Sequence, residues 1–357
     1  MISAAILLDG ERTEEELVAF SRLAVGLAGE GIHSAIVQSV DAGDLPIDGT
    51  SRIAAPIPTI SVPRKVPFWL RRRMASAVLD QLGEVGRGSP DVIVGCGRGC
   101  LWLAEQMADL LDVPLVAETR SFREIDGTDP RKVDAIIAAT ANLRHHAVRR
   151  HGEDFATHLP VAVPRTEIIG DRRGLAIVLG PVGDLRRWTA MIEGLAGPGG
   201  PVHGLKHLAL DLGSRRRDET IWRHIRHSPL AACMSSFDHT DRMRGLLAGA
   251  DVIIVPDHDR VVRSIEGQAR IGGGLVVAAA DPARDDRDEA IGDRILTNAE
   301  ARDPESWRSA VASAFAGTPA PGSTARGRES LVSSVSPRWA ALLRGLVHGD
   351  ATPISDA

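Results

Sequence analysis

The stretch ADVIIVPDHDRVVRSIEGQARIGGGLVVA, residues 250–278, passes from one apolar run through a charged loop and a helical segment into a second apolar run. Strand, loop, helix and strand is the layout of a parallel βαβ unit, and it sets the loop at the carboxyl edge of the sheet, where ligands bind. Both apolar runs lack the alternation of a half-exposed strand, as expected when helices cover both faces. The loop itself carries charge of both signs: Asp257, Asp259 and Arg260.

The same rhythm extends outward in both directions. Before this stretch come LAIVLG (175–180), HLALDLG (207–213) and LAACMSS (230–236), spaced by helical segments at 185–195, 216–227 and 241–249. Nearer the start, SAAILLD (3–9), HSAIVQSV (33–40), PDVIVGCG (90–97), VPLVAET (113–119) and VDAIIAAT (133–140) alternate with helices such as 14–31, 71–85 and 101–112. Strands separated by helices of this length predict two α/β/α domains of Rossmann type. The prolines and charges of LPVAVPRTEIIGDRRG (159–174) predict an interdomain linker. The expected domains are residues 1–165 and 172–316, followed at 317–357 by a flexible low-complexity segment and a final helix, 336–349, that packs back on the first domain.

Composition narrows the function. A chain of 357 residues suits two domains, and its net charge of -5 argues against a nucleic-acid binder. No run approaches the ~20 apolar residues of a membrane span. Three cysteines (Cys96, Cys100, Cys233) make no disulfide framework, and the expected location is the cytoplasm.

Taken in order, several passages resemble the GT-B glycosyltransferases of the "glycosyl transferases group 1" type. They are PDVIVGCG, VDAIIAATANLRHHAVRRHG, AIVLGPVGDLRRWTAMIEGLA, LLAGADVIIVPD and RILTNAEARDPESWRSAVASAF. The resemblance implies two Rossmann-like domains facing across a cleft and transfer of a sugar from a nucleotide-sugar donor to an acceptor. The nucleotide sugar is a substrate, and no other cofactor is implied. In that family the donor loop reads P-S-x-x-E, with a second Glu eight residues later. Here those acids fall on Arg260 and Gln268, while Glu266 lies two places out of register. The family's Arg-and-Lys pair falls on Pro181 and Arg186.

A departing diphosphate gathers negative charge, which cations and helix N-termini stabilise. Arg186 and Arg260 are the candidates, each contact contributing about 1.5–3 kcal/mol. Gln268 is a candidate for a ribose hydroxyl, Glu266 is a further donor-binding candidate, and Gly273 is a candidate for close backbone approach to phosphate. For Gln268 and Glu266 an ordinary helix face or cap is the competing role. No catalytic base or nucleophile is assigned. The altered acids leave a second reading open: a pseudo-glycosyltransferase that binds a nucleotide or a partner without turnover.

Other motifs carry less. Asp257-x-Asp259 has the form of a metal-binding triplet, but in metal-dependent glycosyltransferases it belongs to a single N-terminal sheet domain, so no metal is expected. GCGRGC (95–100) suits tight packing better than a dinucleotide. Arg120 is expected either to face a ligand or to pair with Glu124 or Asp126. In VPRKVPFWLRRRM (62–74), basic residues surround Phe68 and Trp69. That composition fits peripheral contact with an anionic membrane. The favoured reading, however, is a helix start that turns both aromatics into the core.

Overall fold

A computed structural model describes residues 1–10, 14–40, 57–163, 174–180, 183–211, 219–237, 246–247, 249–257, 262, 264–281, 294–317 and 330–349. The chain divides into one unit comprising Met1–Val163 with Ser330–Ala357 and a second comprising Pro164–Glu329.

In the first unit the strands are β1 (Ile2–Leu8), β2 (Ile32–Val40), β3 (Thr59–Pro63), β4 (Val92–Cys96), β5 (Leu115–Thr119), β6 (Ala135–Ala138) and β7 (Ala156–His158). Its helices are α1 (Glu14–Gly29), α2 (Arg71–Leu82), α3 (Arg98–Leu111), α4 (Phe122–Asp126) and α5 (Ala141–His151). The second unit holds β8 (Leu175–Val178), β9 (His207–Asp211), β10 (Met234–Phe237), β11 (Val252–Val255), β12 (Leu275–Ala279) and β13 (Arg294–Leu296). Its helices are α6 (Leu185–Ala196), α7 (Glu219–Arg226), α8 (Ser264–Ile271) and α9 (Pro304–Ala316), and α10 (Val332–His348) closes the described chain.

The first sheet runs β3-β2-β1-β4-β5-β6-β7 and the second β10-β9-β8-β11-β12-β13, with every pairing parallel. Both are the doubly wound order, in which the chain reverses direction between the first and fourth strands. Central strands are buried along their length: β4, β5, β8, β11 and β12 expose no residue on either face. Their Val, Ile, Leu and Ala runs follow from that burial.

Helix faces obey the same logic. In α6 the buried set Trp188, Met191, Ile192 and Leu195 recurs at helical spacing and joins Trp307 of α9 in one apolar cluster with β8, β9 and β11. Asp303 starts α9 by accepting the Ser306 N–H, and Thr140 starts α5 by accepting that of Leu143. Helix α10, last in sequence, places Val335, Trp339 and Leu343 in the core of the first unit with Leu23 and Leu27 of α1.

Three sequence expectations change. Strand β3 is an edge strand that the proline-rich passage concealed. Residues 230–233 form a short 3-10 turn, so that β10 begins only at Met234. Leu159, Ala162 and Val163 are buried in the first unit, where the Val163 N–H donates to the Ser330 carbonyl at 2.8 Å. The expected helix at 241–249 and the low-complexity stretch at 317–326 lie largely outside the described residues.

Candidate functional site

In a doubly wound sheet the ligand crevice opens at the carboxyl ends of the two strands flanking the reversal. In the second unit these are β8 and β11. The loop after β8 leads through Gly183 and Asp184 into α6, and the loop after β11 begins Pro256–Asp257 and leads to α8.

A compact polar network fills this point. The buried Asp257 carboxylate accepts the Gly183 N–H at 2.7 Å through Oδ2, and the same oxygen accepts the Asp184 N–H. Its Oδ1 accepts from Arg187 Nη1 at 3.2 Å. Arg187 is only 6 % exposed, and its Nη2 donates to Asn298 Oδ1 at 2.8 Å. Asp184 caps α6 by accepting the Arg186 N–H at 3.0 Å, and Arg302 donates to it at 3.0 Å. Burial pushes the pKa of Asp184 up, but the bonds from Arg302 and the Arg186 N–H outweigh it and hold the carboxyl below its ordinary 3.8. Asp257 thereby takes backbone N–H groups at the N-terminus of α6, a position suited to an anion.

The first unit repeats the device with the loops exchanged. Asp9, at the end of β1, accepts the Gly99 N–H at the start of α3 at 2.5 Å. Both bridges require glycine for a steric reason. A Cβ on Gly183 would lie 2.6 Å from Asp257 Oδ2, and one on Gly99 would lie 2.4 Å from Asp9 Oδ1.

The sequence candidates are distributed as follows. Arg186 is exposed in the first turn of α6, while its neighbour Arg187 is the arginine that turns inward. Arg260 and Pro181 lie outside the described residues. Glu266 and Gln268 are both buried on α8. Gln268 is 4 % exposed. Gly273 adopts a φ of +87° where α8 stops and the chain turns into β12. That places it at the amino edge of the sheet, opposite the crevice.

Arg120 holds its guanidinium against Glu118 of β5 and Glu16 of α1. It is 2 % exposed, bonded through Nε to Glu118 at 2.6 Å and through Nη1 to Glu16 of α1, with the Phe20 ring against it. Glu124 instead accepts the Arg120 backbone N–H at 2.6 Å. Glu118, the nearest acid for a dinucleotide ribose, is committed to this pair. Cys96 lies on β4 and Cys100 on α3, both buried, the latter thiol directed at backbone carbonyls. Phe68 and Trp69 contradict the expectation of core burial: they are 75 % and 69 % exposed. Among the described residues, no cluster of three or more His, Cys, Asp or Glu is placed to hold a metal ion, and no helix is long and apolar enough to cross a membrane.

The network at the β8–β11 crevice was missed from sequence because it joins side chains 70 or more positions apart. A partial signal was present. Gly183-Asp184 ahead of an amphipathic segment is a helix-start signature, and helical phasing from Trp188 brings Arg187 close to the buried stripe.

No protein-family model matches the sequence, and a search of curated proteins returns no significant match. Solved structures do match. Sucrose-phosphate synthase from Thermosynechococcus elongatus aligns at a TM-score of 0.72 and 12 % identity, over 98 % of this chain and 100 % of that one. HepE from Anabaena, in complex with UDP, aligns at 0.69 and 13 % identity, over 97 % and 100 %. A UDP-N-acetylglucosamine 2-epimerase homologue from Listeria monocytogenes aligns at 0.66 and 12 % identity, over 98 % and 97 %. Identities this low establish the fold, which is the GT-B type: two parallel α/β units in tandem. A synthase and an epimerase share it, so the fold by itself does not select a reaction.

Proposed function

We propose that the protein is a glycosyltransferase that takes a sugar from a nucleotide-sugar donor bound at the crevice of the second unit and passes it to an acceptor. One observation carries this reading. Gln268 stands in the register of the family's second Glu and is 4 % exposed on α8, the helix that follows the loop after β11. A side-chain amide both donates and accepts, the chemistry that a ribose hydroxyl needs. Arg186 supplies an exposed cation in the first turn of α6, and Arg260 supplies a second by its register. Together they offset the charge of the departing diphosphate without requiring a metal. Glu266, two residues before Gln268 on α8, is a further candidate contact, while Gly273 serves as the helix stop. A nucleotide-sugar substrate fits a cytoplasmic location.

The Asp257 bridge favours a second reading, a pseudo-glycosyltransferase that binds nucleotide or a partner without turnover. There, the N–H groups that would meet a phosphate are already held by an internal carboxylate.

Calorimetric titration with UDP, GDP, ADP and CDP tests both readings, with UDP first because HepE binds it. The expected result is micromolar binding of one nucleotide, weakened about tenfold or more in Arg186→Ala and in Gln268→Leu. Binding of none of the four defeats the donor-site assignment. Binding without hydrolysis or transfer of the matching nucleotide sugar, across a panel of acceptors, favours the pseudo-enzyme.

A further inference from the structure

The loop between β3 and α2 displays a patch that the sugar-transfer chemistry leaves unused. Phe68, Trp69 and Leu70 form one 3-10 turn with no buried residue, and the two aromatic rings meet edge to face at 5.1 Å. Large apolar side chains exposed in consecutive positions are unusual on a water-facing surface. Their surroundings are equally uneven. Between residues 49 and 79 the chain contains no Asp or Glu, although the whole protein is net acidic. Arg64 and Lys65 precede the aromatic turn, and Arg71, Arg72 and Arg73 follow it. Lys65, Arg72 and Arg73 are exposed and form no ion pair among the described residues. Arg71 is partly buried and lies over the Trp102 ring of α3 at 5.1 Å, which ties the turn to the body of the first unit.

The patch also has a defined place in the fold. It follows the carboxyl end of β3, the edge of the first sheet at which Asp9, Gly10 and the glycine loop after β4 also emerge. Arg64 Cδ would lie 3.7 Å from a Cβ added to Gly10.

We propose that residues 64–73 form a docking surface for an anionic lipid bilayer. Phe68 and Trp69 insert at the level of the headgroups, and the flanking cations engage lipid phosphates. Tryptophan suits that boundary because its ring is apolar and its N–H is polar. A cluster of basic residues beside it draws the turn to a negative surface, each cation changing the partition coefficient about fivefold. An exposed Phe–Trp pair within an all-basic stretch matches a surface that is apolar just beneath an anionic layer, which a negatively charged membrane presents. The surface does not depend on nucleotide binding, and its position orients the ligand edge of the first unit toward the membrane.

Co-sedimentation of the full chain with phosphatidylcholine vesicles, with and without phosphatidylglycerol, tests the proposal in nucleotide-free buffer. Binding is expected only with phosphatidylglycerol, and it weakens with added salt. Arg72→Gln/Arg73→Gln should lower it about 25-fold, two cations at about fivefold each. Phe68→Ser/Trp69→Ser should lower it tenfold or more. All four side chains are exposed, so each variant should keep the thermal transition of the parent. Should one pair fail to do so, the other reads the same surface. No binding to either vesicle overturns the proposal, as does binding that both variants retain in full. Neither result bears on the nucleotide titration, so the two readings fail separately.

Discussion

Replacing Asp257 by Ala removes one carboxylate that three groups address: the N–H of Gly183 at 2.7 Å, the N–H of Asp184, and Arg187 Nη1 at 3.2 Å. Each bond involves an ionised acceptor, for which about 1.5–3 kcal/mol is typical. Arg187 is buried and would lose its best ionic partner, the situation in which losses of about 3–5 kcal/mol are seen. It would not be stranded entirely. Asn298 remains at 2.8 Å and Asp184 at 3.6 Å. The two backbone N–H groups lie at a loop where water can replace the carboxylate. The net loss should therefore sit at the lower end, about 3 kcal/mol. For a unit of this size that corresponds to a fall in Tm of roughly 6–12 °C. Differential scanning calorimetry of wild type, Asp257→Ala, Arg187→Met and the double variant would resolve it. A coupling energy above about 1 kcal/mol between the two positions is expected. Asp257→Asn, which retains one acceptor oxygen, should fall between wild type and Asp257→Ala. A loss below about 1 kcal/mol in Asp257→Ala, or a cycle with no coupling, would refute the view that this carboxylate locks the two loops together.

The glycines opposite the two bridging acids should be equally selective. Gly183→Ala and Gly99→Ala each force a methyl into a carboxylate, and a loss of about 1–3 kcal/mol in urea midpoint experiments is expected. Parent-like midpoints would show that the acids move aside freely. Acid should weaken the second unit, where Asp184, Glu300 and Asp303 are held below their ordinary values of 3.8, 4.5 and 3.8. For Asp184 burial pulls the other way and the bonds from Arg302 and the Arg186 N–H prevail; Glu300 is held by the Thr297 N–H and hydroxyl, and Asp303 by the Ser306 hydroxyl and N–H. Lowered carboxyl pKa values stabilise the folded state above the ordinary value, and that contribution disappears as pH falls through the folded one. Urea midpoints should thus decline below about pH 4, and a midpoint that is flat there would contradict the assignment.

The fold was legible because its strands are buried on both faces. Runs such as VIIV and LVVAA can hardly be anything else between helical segments of ordinary length. Strand β3 escaped because TISVP is short, lies at the sheet edge and ends in proline. The site was less legible, since sequence can show a charge but not which way it faces. Register points to Arg186, yet the buried stripe of α6 is set by Trp188, Met191 and Leu195, and this turns Arg187 inward. Arg120 has two acids within six residues on its carboxyl side, but its guanidinium bonds to Glu118 and to Glu16, 104 positions away. Glu118 is legible in principle, since side chains two apart share one face of a strand. Large aromatics usually belong in a core, which favours burial of Phe68 and Trp69 on sequence alone, but the five cations around them are the better guide.

Helix α10 shows that the order of the chain is not the order of its parts. Trp339, Leu342 and Leu343 fill the core of the first unit, yet the ribosome makes them after all of the second. During synthesis the second unit is therefore the first that can complete its interior, while the earlier one waits with an open flank along α1. A stop codon placed anywhere within the second unit would cost the first unit its closing helix as well.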